Sequence, residues 1–113
     1  MDEIVELAQK LGKAIAASAA SAKLRAARKA LDAEPDLTRT FEEYRKQSEK
    51  VALLEAENKP VEVDDKHRLQ DLHDKLISSE TFKKYTAAQV DYVDMMRKVN
   101  EALQDNLGET EED

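Results

Sequence analysis

Residues 79–108, SETFKKYTAAQVDYVDMMRKVNEALQDNLG, decide the fold of this chain. Apolar and aromatic residues recur here every three to four positions, the spacing that keeps side chains on one face of an α-helix. Two rows repeat at intervals of seven residues: one contains Phe82, Gln89, Met96 and Leu103, and the other contains Tyr85, Tyr92, Val99 and Asn106. The pattern predicts one long C-terminal helix with a heptad seam, capped by Ser79 and ended by Gly108.

This helix is too long for a compact chain of this size. Over residues 79–107 it would extend about 43 Å. A compact globule of 113 residues would have a diameter of about 34 Å. We therefore expect either an elongated molecule or a second copy of the chain that covers the exposed seam.

Two apolar stripes with helical spacing precede that helix in the first third of the chain. Ser18 and Ser21 interrupt a run of alanines between them, so residues 2–33 form either one bent helix or two. Glu34 and Pro35 then stop the pattern, because the residue before a proline disfavours helical geometry. The two stripes contain Ile4, Leu7, Ala8, Leu11, Ile15, Leu24, Ala27 and Leu31.

The middle of the chain contains two further helical patterns. One begins at about Pro35, includes Leu37, Phe41, Tyr44, Val51 and Leu54, and ends at Asn58, Lys59 and Pro60. Either Asp64 or Asp65 can cap the next, whose inward-facing residues are predicted to be Leu69, Leu72, Leu76 and Ile77. The sequence thus predicts an all-α fold, an elongated helical bundle of four to five helices with a long C-terminal helix.

Composition limits the function classes. The chain has 25 acidic against 18 basic residues, and a net charge of -7 argues against general affinity for nucleic acid or anionic membranes. No cysteine is present, so disulfides, thiolate metal sites and cysteine nucleophiles are excluded. An acidic N-terminus without a continuous apolar run predicts a cytoplasmic protein. We expect a single domain over residues 1–108 and an acidic, disordered tail over residues 109–113.

Basic residues concentrate in one acid-free segment, residues 7–31. The segment predicts a solvated face that complements acidic helices of the same chain or of a partner, with direct RNA binding as the alternative function. Its six bases are Lys10, Lys13, Lys23, Arg25, Arg28 and Lys29.

No motif indicates a reaction. His67 and His73 are six residues apart, which on a helix places them on different faces, so they cannot chelate one metal ion. Asp64, Asp65 and His67 could form a loose cation site of a small hydrolase, but helix capping and a solvated histidine explain them better. We therefore predict no enzyme activity, no catalytic or metal-binding residue and no cofactor.

The seam residues are the predicted interaction surface. We expect a homodimer or higher oligomer, and a protein partner is also compatible with this pattern. A buried amide fixes register between paired helices, so Gln89 is the residue predicted to contact a partner helix. The predicted interface comprises Phe41, Tyr44, Phe82, Tyr85, Gln89, Tyr92, Met96 and Val99.

Three stretches resemble the YlbF/YmcA family of small bacterial helical regulators, which includes the YheA-like proteins. Residues 8–16, AQKLGKAIA, match an amphipathic opening around a Leu-Gly-x-Ala-Ile core. Residues 30–36, ALDAEPD, match an acidic–proline break before a helix with an aromatic residue, here Phe41. The third stretch runs from Ile77 through Tyr85 to a Val-Asn motif at Val99 and Asn100. The likeness spans about residues 4–107.

The resemblance implies an all-α, self-associating regulator without enzymatic activity. Members in Gram-positive bacteria are accessory factors of the membrane-anchored endoribonuclease RNase Y. Through transcript processing they influence competence, biofilm formation and sporulation. Some members carry iron–sulfur clusters on cysteines. This chain has no cysteine, so that cofactor does not carry over.

Overall fold

The computed structural model describes residues 2–108, and these residues form five α-helices and no strand. This confirms the predicted all-α bundle and its long last helix, which has 28 residues. The predicted tail, residues 109–113, lies outside the described residues. The helices are α1 (Asp2–Ala17), α2 (Ala19–Asp32), α3 (Pro35–Ala56), α4 (Val63–Ile77) and α5 (Glu80–Leu107).

A bend at Ser18 separates α1 from α2, so residues 2–33 contain two helices. The Ile15 carbonyl oxygen accepts hydrogen bonds from the hydroxyls of Ser18 and Ser21, each with an O–O distance of 2.6 Å. It also accepts the backbone N–H of Ser18 at 3.1 Å. The Ser18 hydroxyl accepts the backbone N–H of Ser21 at 3.2 Å, as an N-cap does. Two serines therefore end one helix and begin the next without glycine or proline.

Helix α3 begins and ends where the sequence predicts. Pro35 occupies the first turn, where its missing N–H costs no hydrogen bond. At the other end Asn58 has a φ of 59°, and its N–H donates to Glu55 while the N–H of Lys59 donates to Leu54. These two bonds form a Schellman motif, which satisfies the last carbonyls of the helix.

Helix α4 begins earlier than predicted. Glu62 is the N-cap residue and makes no side-chain cap bond, while Asp64 and Asp65 lie in the first turn. Neither aspartate is thus the N-cap residue, but the Asp65 carboxylate accepts the backbone N–H of Glu62, which satisfies a donor at the start of the helix. Leu72 and Leu76 are buried as predicted, but Ile77 is exposed because it lies one residue beyond Leu76 and off the stripe.

Helix α5 has the predicted ends. The Ser79 hydroxyl accepts the backbone N–H of Phe82 at 3.1 Å, which satisfies one free donor of the first turn. Gly108 follows the last helical residue with a φ of 88°, a conformation that glycine adopts without strain. Its N–H donates to the Gln104 carbonyl at 3.1 Å.

Packing divides the chain into two compact units, and the prediction of one domain over residues 1–108 stays a prediction. One unit comprises residues 28–85, and the other comprises residues up to 27 together with residues from 86 onward. The first unit contains the most deeply buried side chains, Leu31 and Leu76, each 1% exposed. In the second unit Ser21 and Ala88 are buried.

Candidate interaction surfaces

Three of the predicted interface aromatics pack against one another within the unit of residues 28–85. The ring of Phe41 lies edge-on to the rings of Phe82 and Tyr85, with centroid distances of 5.3 and 6.1 Å. Such edge-to-face pairs are a favourable aromatic geometry. Tyr85 is buried, and Phe41 and Phe82 are half-buried. The heptad pattern does not distinguish packing inside one chain from packing against a partner, so the contact of these residues with a partner stays a prediction.

Tyr44 also has a neighbour inside the same unit. Its ring lies 6.2 Å from the His73 ring, centroid to centroid, in a tilted arrangement, and its side chain is half-buried. The remaining predicted residues, Gln89, Tyr92, Met96 and Val99, lie on the distal part of α5 in the other unit.

The distal part of α5 presents an apolar groove. Tyr92, Val93 and Met96 line an open groove of about 640 Å³, and Val93 is 59% exposed. A second groove of about 490 Å³ is lined in part by Met95 and Val99. The predicted residues Tyr92, Met96 and Val99 therefore border open space on this helix. Gln89 is exposed.

Charged side chains fix one edge of the first groove. The Arg97 guanidinium donates to Asp94 at 2.6 Å and to Glu101 at 2.9 Å. These bonds raise the pKa of Arg97, and the bond from Arg97 holds the pKa of Asp94 below its usual value. The groove is thus lined by apolar and charged side chains together, as are many protein–protein contact sites.

Helix α1 presents a second apolar surface, which the sequence analysis placed on a stripe but did not assign to an interface. Ile4 and Leu7 are 72% and 57% exposed, and α1 contains no buried residue. The periodic pattern predicts that this apolar face of α1 is buried against another surface. Periodicity gives no information on whether the cover comes from the same chain.

The six predicted basic residues do not form one face. On α2, Arg25, Arg28 and Lys29 lie within about 100° of one another around the helix axis, and Lys23 lies on the opposite side. Arg28 pairs with Asp32 at 3.2 Å, and this hydrogen bond raises the Arg28 pKa. The other five bases form no ion pair with a described residue.

The residues considered for a cation site do not assemble into one. The Asp65 carboxylate accepts hydrogen bonds from the ammonium group of Lys50 at 2.9 Å and from the amide of Gln47 at 3.3 Å. The Lys50 bond, with help from Gln47, holds the pKa of Asp65 below its usual value. Within residues 2–108, no three acidic or histidine side chains are placed to hold a metal ion. Through its hydrogen bonds with Gln47 and Lys50, Asp65 instead links α4 to α3.

Comparison with known proteins identifies the family. The family model described as "Control of competence regulator ComK, YlbF/YmcA" matches residues 4–108. The chain belongs to the YlbF/YmcA family. The family resemblance found in the sequence is thereby confirmed, and the matched range begins at residue 4, as the resemblance does. YlbF/YmcA is a regulatory family, linked by its description to the control of competence, and is not a known enzyme family.

A solved structure supports the fold assignment. It is described as "Protein of Unknown Function (DUF964) from Bacillus stearothermophilus" and is 18% identical to this YlbF/YmcA chain. The match has a TM-score of 0.74 and covers 95% of this chain and 94% of that chain. At this identity the likeness shows a shared fold only. No curated protein matches this chain significantly.

Two further properties bear on the family assignment. This YlbF/YmcA chain has no cysteine, so it offers no thiolate ligand for an iron–sulfur cluster. In the described part of the chain, none of the helices combines the length and hydropathy needed to cross a bilayer.

Proposed function

We propose that this YlbF/YmcA protein is a non-enzymatic regulator that acts through helix-mediated contacts with other proteins. The exposed apolar surface of distal α5 carries the proposal, because Val93, which lines an open groove, is 59% exposed and Leu103 of the same helix is 49% exposed. A partner that covers this surface removes apolar area from water, which is the main favourable contribution to association.

The contact we propose is a helix of the partner lying along the α5 groove. Tyr92 and Met96 line this groove, and the flexible side chain of Met96 can adjust to the partner. The ion pairs of Arg97 with Asp94 and Glu101 border the groove and give orientation rather than affinity. Regulation then consists of docking, with no bond made or broken in a substrate.

The partner we propose is an RNA-processing machine built around an RNase Y-type endoribonuclease. The family resemblance and the description of the family as a control of competence support this choice. By docking, the protein would change which transcripts are cut, and through them competence, biofilm formation or sporulation-like development.

Two valines of α5 provide a matched test. Val93→Glu places a charge at the groove, whereas Val90→Glu places the same charge at a valine that is equally exposed and does not line either groove. We expect Val93→Glu to weaken binding to the purified endoribonuclease at least about tenfold. Val90→Glu should leave binding unchanged, as measured by biolayer interferometry.

Transcript mapping completes the test. Deletion of the gene should shift endonucleolytic cut sites genome-wide, and Val93→Glu should reproduce that shift while Val90→Glu does not. Unchanged cut sites in the deletion strain, together with no measurable binding of the endoribonuclease, would refute this function.

Direct RNA binding is a second candidate function, favoured by the five bases without a described ion-pair partner. It predicts a gel shift that weakens steeply between about 50 and 200 mM salt. Replacing Arg25 and Lys29 by glutamate should abolish the shift, and the same change at Lys66 and Lys75 of α4 should not. No shift at low salt rejects this candidate.

A further inference from the structure

The α1 helix has an apolar stripe that no described part of the chain covers. Three of its large hydrophobic side chains are exposed: Ile4 at 72%, Leu7 at 57% and Leu11 at 37%. The opposite side of the helix is polar, with Glu6, Gln9 and Lys13. This face must be covered by something outside the described chain, or remain in water.

The apolar positions 4, 7, 8 and 11 of α1 are arranged symmetrically about the midpoint between Leu7 and Ala8. A two-fold axis through that point would exchange Leu7 with Ala8 and Ile4 with Leu11, so the stripe maps onto itself. All acidic residues of α1, which are Asp2, Glu3 and Glu6, precede the point, and its bases Lys10 and Lys13 follow it. Glu3 and Lys10 lie on the same flank of the stripe, so this axis brings Glu3 of one copy close to Lys10 of the other.

We propose that α1 pairs antiparallel with α1 of a second copy of this chain, about a two-fold axis at this midpoint. Ile4 then packs on Leu11 of the partner subunit, and Glu3 lies beside Lys10 of the partner subunit on the flank of the stripe. A parallel pair would place acids beside acids and bases beside bases. The antiparallel arrangement is isologous, because each contact occurs twice.

Another occupant fits the stripe less well. Helices that lie on lipid surfaces carry a polar face rich in lysine and arginine, whereas α1 has three acids against two bases. A two-fold copy matches the order of both the apolar and the charged residues. The inference adds a self-association surface on α1 to the proposed function, which uses the groove of α5.

The pair is expected to be weak and dependent on concentration. A helix of 16 residues is about 24 Å long and about 10 Å wide. Its footprint is smaller than the roughly 800 Å² per partner of a standard stable interface. Sedimentation velocity over a wide range of protein concentrations should therefore show a reversible monomer–dimer equilibrium.

Cysteine cross-linking tests the axis, because the native chain has no cysteine. Ala8→Cys places a thiol near the axis, within the Cα distance that a disulfide needs. In a glutathione redox buffer this variant should form a covalent dimer at low protein concentration. Gln9→Cys is the control, because position 9 is adjacent in sequence but lies on the polar side of α1. Equal cross-linking of the two variants would overturn the proposal.

Two off-axis cysteines test the orientation. Ile4→Cys alone should not cross-link, but a mixture of Ile4→Cys with Leu11→Cys should give the mixed dimer. Efficient cross-linking of Ile4→Cys with itself would show a parallel pair and overturn the antiparallel arrangement.

Charge reversal separates this inference from the proposed function. The variants K10E/K13E and E3K/E6K should each raise the dimer dissociation constant about tenfold, and an equimolar mixture of the two should restore dimerisation. Endoribonuclease binding by K10E/K13E, measured beside that of Val93→Glu, shows whether α5 docking survives without the α1 pair. A protein that stays monomeric at every concentration overturns the α1 pair and leaves the α5 proposal to its own test.

Discussion

Gln47 is a buried polar side chain at the contact between α3 and α4. It is 7% exposed, and its amide donates to the Asp65 backbone carbonyl at 3.0 Å. A buried polar group without a partner is costly, so the bond specifies this helix pair more than it adds net stability. Sequence periodicity marks this position only as part of a helix, since its partner is 18 residues away.

Gln47→Leu should lower the free energy of unfolding by about 1–2 kcal/mol, because it leaves the part-buried Asp65 carbonyl with one donor fewer. The measurement is urea denaturation followed by circular dichroism. Gln70→Leu is the matched control, since Gln70 is exposed and bonds only to Asp74. Its effect should stay within about 0.5 kcal/mol. Equal losses in the two variants would show that the Gln47 bond has no special role.

Asp65 should make part of the stability depend on pH. The hydrogen bonds from Lys50 and Gln47 lower the folded-state pKa of Asp65. Its stabilising contribution is therefore complete above the unfolded pKa, about 3.9, and disappears as the pH falls through the folded pKa. Asp65→Asn should be less stable than wild type at pH 7, and the difference should shrink towards pH 3.

A neighbouring aspartate is the control for this pH dependence. Asp71 makes no hydrogen bond or ion pair with a described residue, so Asp71→Asn should change stability little at either pH. A wild-type advantage over Asp65→Asn that is the same at pH 7 and pH 3 would contradict the prediction.

At the scale of helices, the bend between α1 and α2 depends on two hydroxyl groups. Ser18 and Ser21 both donate to the Ile15 carbonyl, which in an uninterrupted helix would accept the N–H of Ala19. The surrounding residues are mostly alanine, the strongest helix former. The bend thus opposes the intrinsic preference of its own segment.

Replacing both serines by alanine should fuse α1 and α2 into one continuous helix. The measurement is the ¹³Cα chemical shift of residues 17–19, which should move to helical values in the double variant. Ser18→Ala alone should keep the bend, because the Ser21 hydroxyl still bonds to Ile15. Unchanged shifts in the double variant would mean that packing, rather than the serines, sets the bend.

The helices could be predicted from sequence more fully than the surfaces that cover them. Pro35, Asn58, Ser79 and Gly108 mark helix ends through local geometry, and the structure confirms each of them. The start of α4 was predicted too late because its N-cap residue is Glu62, which makes no side-chain cap bond and therefore gives no capping signal in the sequence. For the aromatic residues, periodicity does not distinguish a contact inside the chain, such as that of Phe41 with Phe82 and Tyr85, from a contact with a partner, which stays a prediction.

At the scale of the whole molecule, burial is distributed unevenly between the two units. Leu31, Leu72 and Leu76 are buried within residues 28–85, whereas α1 in the other unit buries no side chain. A single helix of this length without tertiary packing is marginally stable in water. The fold thus joins a packed unit to a helix whose stability depends on what covers it.

Hydrogen exchange should reveal this difference. Amides of α4 near Leu72 and Leu76 should exchange only through global unfolding, and amides of α1 should exchange by local fraying. In dilute protein we expect protection in α1 to be at least about 100-fold lower than in α4. The measurement is deuterium uptake by mass spectrometry, with peptides from α4 as the internal reference.

Raising the protein concentration should protect α1 selectively. If a second copy covers the stripe, α1 becomes more stable as the fraction of dimer increases with concentration, while hydrogen exchange in α4 changes much less. K10E/K13E should remove this dependence on concentration and leave exchange in α4 unchanged. Protection of α1 that equals that of α4 in dilute protein would contradict the view that this helix lacks cover in the monomer. Low protection that does not increase with concentration would show that copies of the chain do not meet through α1.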